Sequence, residues 1–69
     1  MNFVEREIIS LVYLRQILCL PAPRTAEITQ LVKGSDRHLI WQLWDAKVIK
    51  PESSKRGWDR QWIPAGGEG

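Results

Sequence analysis

At 69 residues with one cysteine and a net charge of +2, the chain has room for one small core, burying about 60% of its unfolded surface, and for no deep substrate cleft. With 43% hydrophobic and 26% charged residues it has the composition of a folded domain rather than a disordered one. Cys19 alone excludes an internal disulfide, so a reducing compartment, the cytoplasm, is expected. Charge is uneven: three basic residues balance three acidic ones up to residue 32, whereas residues 33–60 hold seven basic against four acidic. That local excess, with a pI near 9.0, suits an anionic partner.

In chain order, apolar residues from Phe3 to Leu18 predict a first helix with Asn2 as N-cap. Its stretch from Ile8 to Leu20 is too short for a bilayer, which needs roughly 20 residues. Glu5, Arg6 and Glu7 before it are no basic leader, so a core helix is expected rather than a signal peptide. Its polar residues Glu5, Glu7, Ser10, Arg15 and Gln16 scatter around the wheel, so the helix wants cover on two sides. One side is the rest of the domain. The other is expected to meet a second copy or a protein partner, making residues 3–18 the expected homodimer surface; the plainer alternative is a few half-exposed leucines.

Leu20-Pro21-Ala22-Pro23 is an extended connector, because each proline fixes φ and restricts its predecessor, and it is placed to pair with a later hairpin. Thr25 is expected to cap a second helix, Ala26 to Val32, burying Ile28, Leu31 and Val32, with Gly34 ending it at positive φ. Ser35 is expected to cap a third helix, Asp36 to Lys47. Leu39, Ile40, Leu43, Trp44 and Ala46 share its buried face, His38, Gln42 and Asp45 lie opposite, and Arg37 and Trp41 lie on a flank. Val48 to Lys50 reads as a strand, Pro51 to Gly57 as a turn-rich loop and Trp58 to Ile63 as the returning strand. The domain then occupies residues 1–64, and residues 65–69 form a flexible tail.

The strings TAEITQLV, KGS, HLIWQLWDAKVIK and GWDRQWI, in the order helix, turn, helix into strand, and strand, resemble the winged helix-turn-helix superfamily. More loosely the chain is similar to small bacterial fimbrial-operon or phage and plasmid regulators. The resemblance covers about residues 5–63 and implies a mainly α fold, a three-helix core with a β-hairpin wing. It also implies double-stranded DNA as partner and a role in transcription regulation, with the third helix in the major groove and the wing on the phosphate backbone. A Z-form nucleic-acid binder shares the architecture, but the Asn and Tyr expected on its recognition helix are missing.

Arg37, His38, Trp41 and Gln42 would then meet base edges, Arg matching guanine and Gln matching adenine bidentately. Ser35 and the helix start would hold a phosphate. Lys50, Lys55, Arg56 and Arg60 would contact phosphates around the wing. Against this, the same residues read as a solvated surface, and Asp36 and Asp45 repel a phosphate backbone. Trp44 is expected in the core and Trp62 as the seal between hairpin and helices, leaving Trp41 and Trp58 to stack on a base or fill a partner's pocket. Trp41, four residues after Arg37, also sets up a cation–π contact. The rival reading is a winged helix that binds RNA polymerase or another protein, favoured by the low net charge and the acidic residues on helix three.

Chemistry is not expected. His38 and Asp45 are about 10 Å apart along a helix, at 1.5 Å rise per residue, beyond hydrogen-bond reach. Cys19 and His38 make no metal-ligand spacing, and no glycine-rich phosphate loop is present. No enzyme activity, cofactor, metal or membrane partner follows from these residues.

Overall fold

The structure, a computed structural model, describes residues 2–66. Three helices, α1 (Phe3–Ile17), α2 (Thr25–Leu31) and α3 (Arg37–Asp45), precede a two-stranded antiparallel hairpin, β1 (Ile49–Pro51) and β2 (Trp62–Pro64). The strands pair Ile49 with Pro64, Lys50 with Ile63 and Pro51 with Trp62. A single 3₁₀ turn, Gly57–Asp59, interrupts the loop between them.

α1 starts where Asn2 was expected to cap it. The Asn2 side chain accepts from the Glu5 backbone N–H at 2.8 Å, while the Glu5 carboxylate accepts from the Asn2 N–H at 3.1 Å, satisfying two helix-end donors reciprocally. α1 buries Ile8 and Val12 completely and leaves Phe3, Leu14, Ile17 and Leu18 exposed, Phe3 and Ile17 at 72%. The apolar residues that ring this helix therefore do divide into a covered side and an open one.

The ends of α1 and α3 share one device. At α1 the N–H of Leu20 donates to the Arg15 carbonyl and that of Cys19 to Gln16. At α3 the N–H of Val48 donates to Leu43 and that of Lys47 to Trp44. Both are Schellman closures, which place one residue in the left-handed region where glycine is usual. Here the residues are Cys19 at φ 57° and Lys47 at φ 64°. A side chain in that region costs roughly 1–2 kcal/mol, partly offset because glycine loses more entropy on folding, about 0.4–1 kcal/mol. Cys19→Gly is therefore expected to stabilise the fold by about 0.5–1 kcal/mol, read as a higher denaturant midpoint at unchanged slope. An unchanged or lower midpoint would contradict the turn geometry.

Several helix limits differ from the expected ones. Arg24, without a side-chain bond, stands at the N-cap of α2, and Thr25 is the first helical residue, completely buried. Its hydroxyl faces inward because the hairpin needs it there: Thr25 Oγ1 accepts from Trp62 Nε1 at 2.8 Å and donates to the Arg60 carbonyl at 3.2 Å. Leu31, expected to be buried, is exposed. Asp36, not Ser35, caps α3, accepting from Leu39 N–H at 2.9 Å. Ser35 Oγ instead donates to the Val32 carbonyl at 2.6 Å and lies 3.2 Å from that of Ile28, closing the end of α2. Gly34 takes the positive φ, 87°, that this turn requires.

The connector does pair with the hairpin. Trp62 N–H donates to the Pro23 carbonyl at 3.0 Å, Gln61 Nε2 to the Ala22 carbonyl at 2.9 Å, and Arg24 bridges Gln61 antiparallel to it. The core comprises Ile8 and Val12 from α1, Ile28 and Val32 around α2, Ile40 and Leu43 from α3, and Ile49 and Trp62 from the hairpin. Ala65 N–H donates to the Val48 carbonyl at 3.0 Å, so the chain is still tied to the hairpin at Ala65, one residue into the expected tail. Residues 67–69 of that tail lie outside the described residues.

One ion pair joins α1 to α2: the Arg15 guanidinium donates to both carboxylate oxygens of Glu27. The hydrogen bond from Arg15 holds the Glu27 carboxyl below its ordinary range, against a smaller upward push from burial. A carboxyl with a depressed folded-state pKa adds stability above its unfolded pKa and loses it as pH falls through the folded value. The pair is partly solvated, so Glu27→Gln is expected to lower stability near neutral pH by about 0.2–1 kcal/mol. That difference should vanish in acid, below the depressed Glu27 pKa, when the two proteins are compared by denaturation across pH.

Candidate nucleic-acid interface

α3 presents two different sides. Ile40 and Leu43 are buried, whereas Arg37, His38 and Gln42 are exposed on the outward surface expected for them. His38 and Gln42, one turn apart, approach within 3.2 Å through His38 Nε2 and Gln42 Nε2. The amide is a donor there, so the contact needs the neutral imidazole with its proton on Nδ1. Asp36 and Asp45 sit exposed at the two ends of the same helix.

The hairpin is shorter in β structure than its sequence suggests. Trp58 and Asp59 belong to the 3₁₀ turn, and the returning strand begins only at Trp62. Gly57 supplies the φ of 60° that starts this turn. Lys50, Lys55 and Arg56 are exposed and Arg60 is half-buried. The hairpin loop is braced by Arg60 Nε donating to the Lys55 carbonyl at 3.2 Å and by Lys55 N–H donating to Ser53 Oγ at 3.3 Å.

All four tryptophans and two of the arginines gather where α3 meets this hairpin. Trp41, Trp44 and Trp62 meet edge to face, at centroid separations of 6.5, 5.0 and 5.6 Å and interplanar angles of 64 to 78°. The Arg60 guanidinium sits against all three, 5.6 Å from Trp41, 5.0 Å from Trp44 and 5.9 Å from Trp62. Arg37 lies between Trp41 at 5.3 Å and Trp58 at 5.0 Å. Ring quadrupoles attract each cation within about 6 Å of a centroid. Arg37 of α3 and Arg60 of the hairpin are thereby interleaved into one aromatic cluster, which joins hairpin to helix.

Residue by residue, the expected sites divide. Trp62 is fully buried, as a seal between hairpin and helices should be. Trp41 forms the expected contact with Arg37, and it is half-buried in the cluster rather than held out to solvent. Trp58 is 50% exposed, with Arg37 against its ring. Trp44, expected in the core, is 36% exposed. It shares the helical stripe of Ile40 but lies at the last turn of α3, where the short hairpin no longer covers it. Ser35 has its hydroxyl committed to α2. Lys47, not among the expected site residues, stands beside Trp44 at the edge of an open cleft. Its signal in the sequence was the missing glycine where α3 passes into β1.

Among the described residues no cluster of three or more His, Cys, Asp or Glu side chains is arranged to hold a metal ion, and no helix is long and apolar enough to cross a membrane. Comparison with known proteins finds no matching family model, no similar curated protein and no similar solved structure.

Proposed function

We propose that this protein is a small winged-helix regulator that binds double-stranded DNA, with α3 in the major groove and the basic hairpin on the phosphate backbone. One observation carries the reading: α3 and the wing are joined through Arg37, Arg60 and the tryptophans. The exposed side chains His38 and Gln42 and the exposed cations Lys55 and Arg56 thus belong to one rigid unit. A groove-reading helix needs such a fixed partner, because phosphate contacts set the register in which base contacts are made. Gln42 is the residue suited to adenine, bidentate at N6 and N7, and the His38 contact holds its amide in one orientation.

If Lys50, Lys55, Arg56 and Arg60 each neutralise a phosphate, log affinity falls against log salt with a slope of roughly −3 to −4. Binding to random and genomic duplexes over a salt series tests this. No binding even at about 50 mM salt, where backbone contacts are strong, sinks the proposal.

A second reading, a winged helix that binds protein, draws support from the open apolar side of α1, Phe3, Leu14, Ile17 and Leu18. The same surface would serve a homodimer, and paired recognition helices would then read two half-sites. Light scattering after size exclusion tests the dimer, which a monomer at high concentration refutes.

A further inference from the structure

Beside the aromatic cluster, Trp41, Trp44, Asp45 and Lys47 line a cleft of about 450 Å³ that is open to solvent. Trp44 and Lys47 also border a smaller cleft with Ile49, Lys50 and Ala65. Three observations set this place apart from ordinary surface. First, the Trp44 indole packs against Arg60 and meets Trp41 and Trp62 edge to face, yet stays one-third exposed toward the clefts. Arg60 covers part of the ring, and the part that borders the clefts is left open.

Second, Lys47 occupies a left-handed position, φ 64°, where the turn is closed entirely by backbone hydrogen bonds. Its side chain contributes nothing to that closure, and it stands beside Trp44 at the edge of the cleft. Third, the charged residues that border the clefts are of both signs. Lys47 stands at the wall common to both clefts, Lys50 lies in the smaller one and Asp45 in the larger. A simple cation would suit Trp44 and Asp45 but is opposed by Lys47 and Arg60. A simple anion would suit the cations but is opposed by Asp45. A planar ring that bears an amino group at one end and a phosphate at the other satisfies all of them.

We propose that this cleft is a nucleotide-binding site. The base stacks on the open side of Trp44, its exocyclic amino group donates to the Asp45 carboxylate, and the phosphate pairs with the Lys47 ammonium. Adenine and cytosine carry that amino group on the base edge; stacking alone tolerates any base. The same chemistry is offered by a free nucleotide and by an unpaired residue of a strand. The site does not depend on α3 entering a groove, so it stands or falls separately from duplex binding.

The test is a titration of the isotopically labelled full chain followed by NMR, with AMP, adenosine, inorganic phosphate and a short single-stranded deoxyadenosine oligonucleotide as separate probes. Shifts are expected at the Trp44 indole N–H and at the amides of Asp45 and Lys47, with AMP binding about tenfold more tightly than adenosine or phosphate. An oligonucleotide that binds about tenfold better than AMP assigns the site to unpaired strands, and equal affinity assigns it to free nucleotide. Lys47→Gly relieves the strained backbone, so it is expected to keep or raise the denaturation midpoint while weakening AMP about tenfold. No movement of the Trp44 indole signal at millimolar AMP or oligonucleotide overturns the proposal, as does undiminished binding by a folded Lys47→Gly protein.

Discussion

Trp62→Ala is expected to leave much of the protein unfolded at room temperature. The side chain is fully buried, and truncating a buried Phe or Trp to Ala costs about 3–5 kcal/mol through lost transfer energy and the cavity left behind. A domain of this size has only about 3–10 kcal/mol to lose, at roughly 0.05–0.15 kcal/mol per residue. More than volume goes. The indole N–H is the donor to Thr25 Oγ1, and that hydroxyl in turn donates to the Arg60 carbonyl. The ring is also one wall of the Arg60 cluster. Its loss therefore loosens α2, the hairpin and α3 together. Trp62→Phe keeps most of the volume but removes the indole N–H together with part of the bicyclic ring, so a smaller loss of about 1–3 kcal/mol is expected. Urea denaturation followed by circular dichroism measures both. A loss below about 1 kcal/mol for Trp62→Ala would mean that this side chain does not join the hairpin to the helices.

If the proposed duplex binding holds, reversing the charge of the hairpin loop with Lys55→Glu and Arg56→Glu together is expected to have the largest effect on it. Each phosphate contact contributes about 0.9 to the salt slope, so losing two should bring a slope near −3.6 to about −1.8. Affinity at low salt should fall by at least one to two orders of magnitude, because each new carboxylate also repels the backbone. Both residues are exposed in the hairpin loop and outside the core, so the fold should persist, and an unchanged far-UV spectrum and denaturation midpoint would establish that it does. Affinity and slope that match the parent protein would remove the hairpin from the proposed interface. Duplex binding with parent affinity in this variant would also favour the reading in which the hairpin serves a protein partner.

Much of the helical frame is legible in residue pattern because it depends on local physics. Asn2 three residues before Glu5, the proline connector, Gly34, and the stripe of Ile40 and Leu43 each act over one or two turns of chain, and each element appears where those residues place it. The Arg37 and Trp41 contact belongs to the same class, since residues four apart on a helix are neighbours. Misplaced residues have non-local causes. Periodicity shows which side of α3 faces the domain but not how far the covering hairpin extends, so Trp44 was expected to be buried. Thr25 reads as a cap by residue type, yet its hydroxyl is claimed by Trp62, 37 residues on.

The sequence by itself thus determined three helices, a hairpin, a single small core and a positively charged second half. It did so through hydrophobic spacing, capping side chains and turn residues that act on their neighbours. Only the tertiary structure decided that Arg60 would be held against three tryptophans, that Trp44 would face solvent beside Lys47, and that Cys19 and Lys47 would carry left-handed backbone. Those outcomes arise where Arg60 and Trp62 of the hairpin meet the tryptophans of α3 and where α1 and α3 end in Schellman closures. A linear pattern cannot express them, because the partners meet only after the chain has closed on itself.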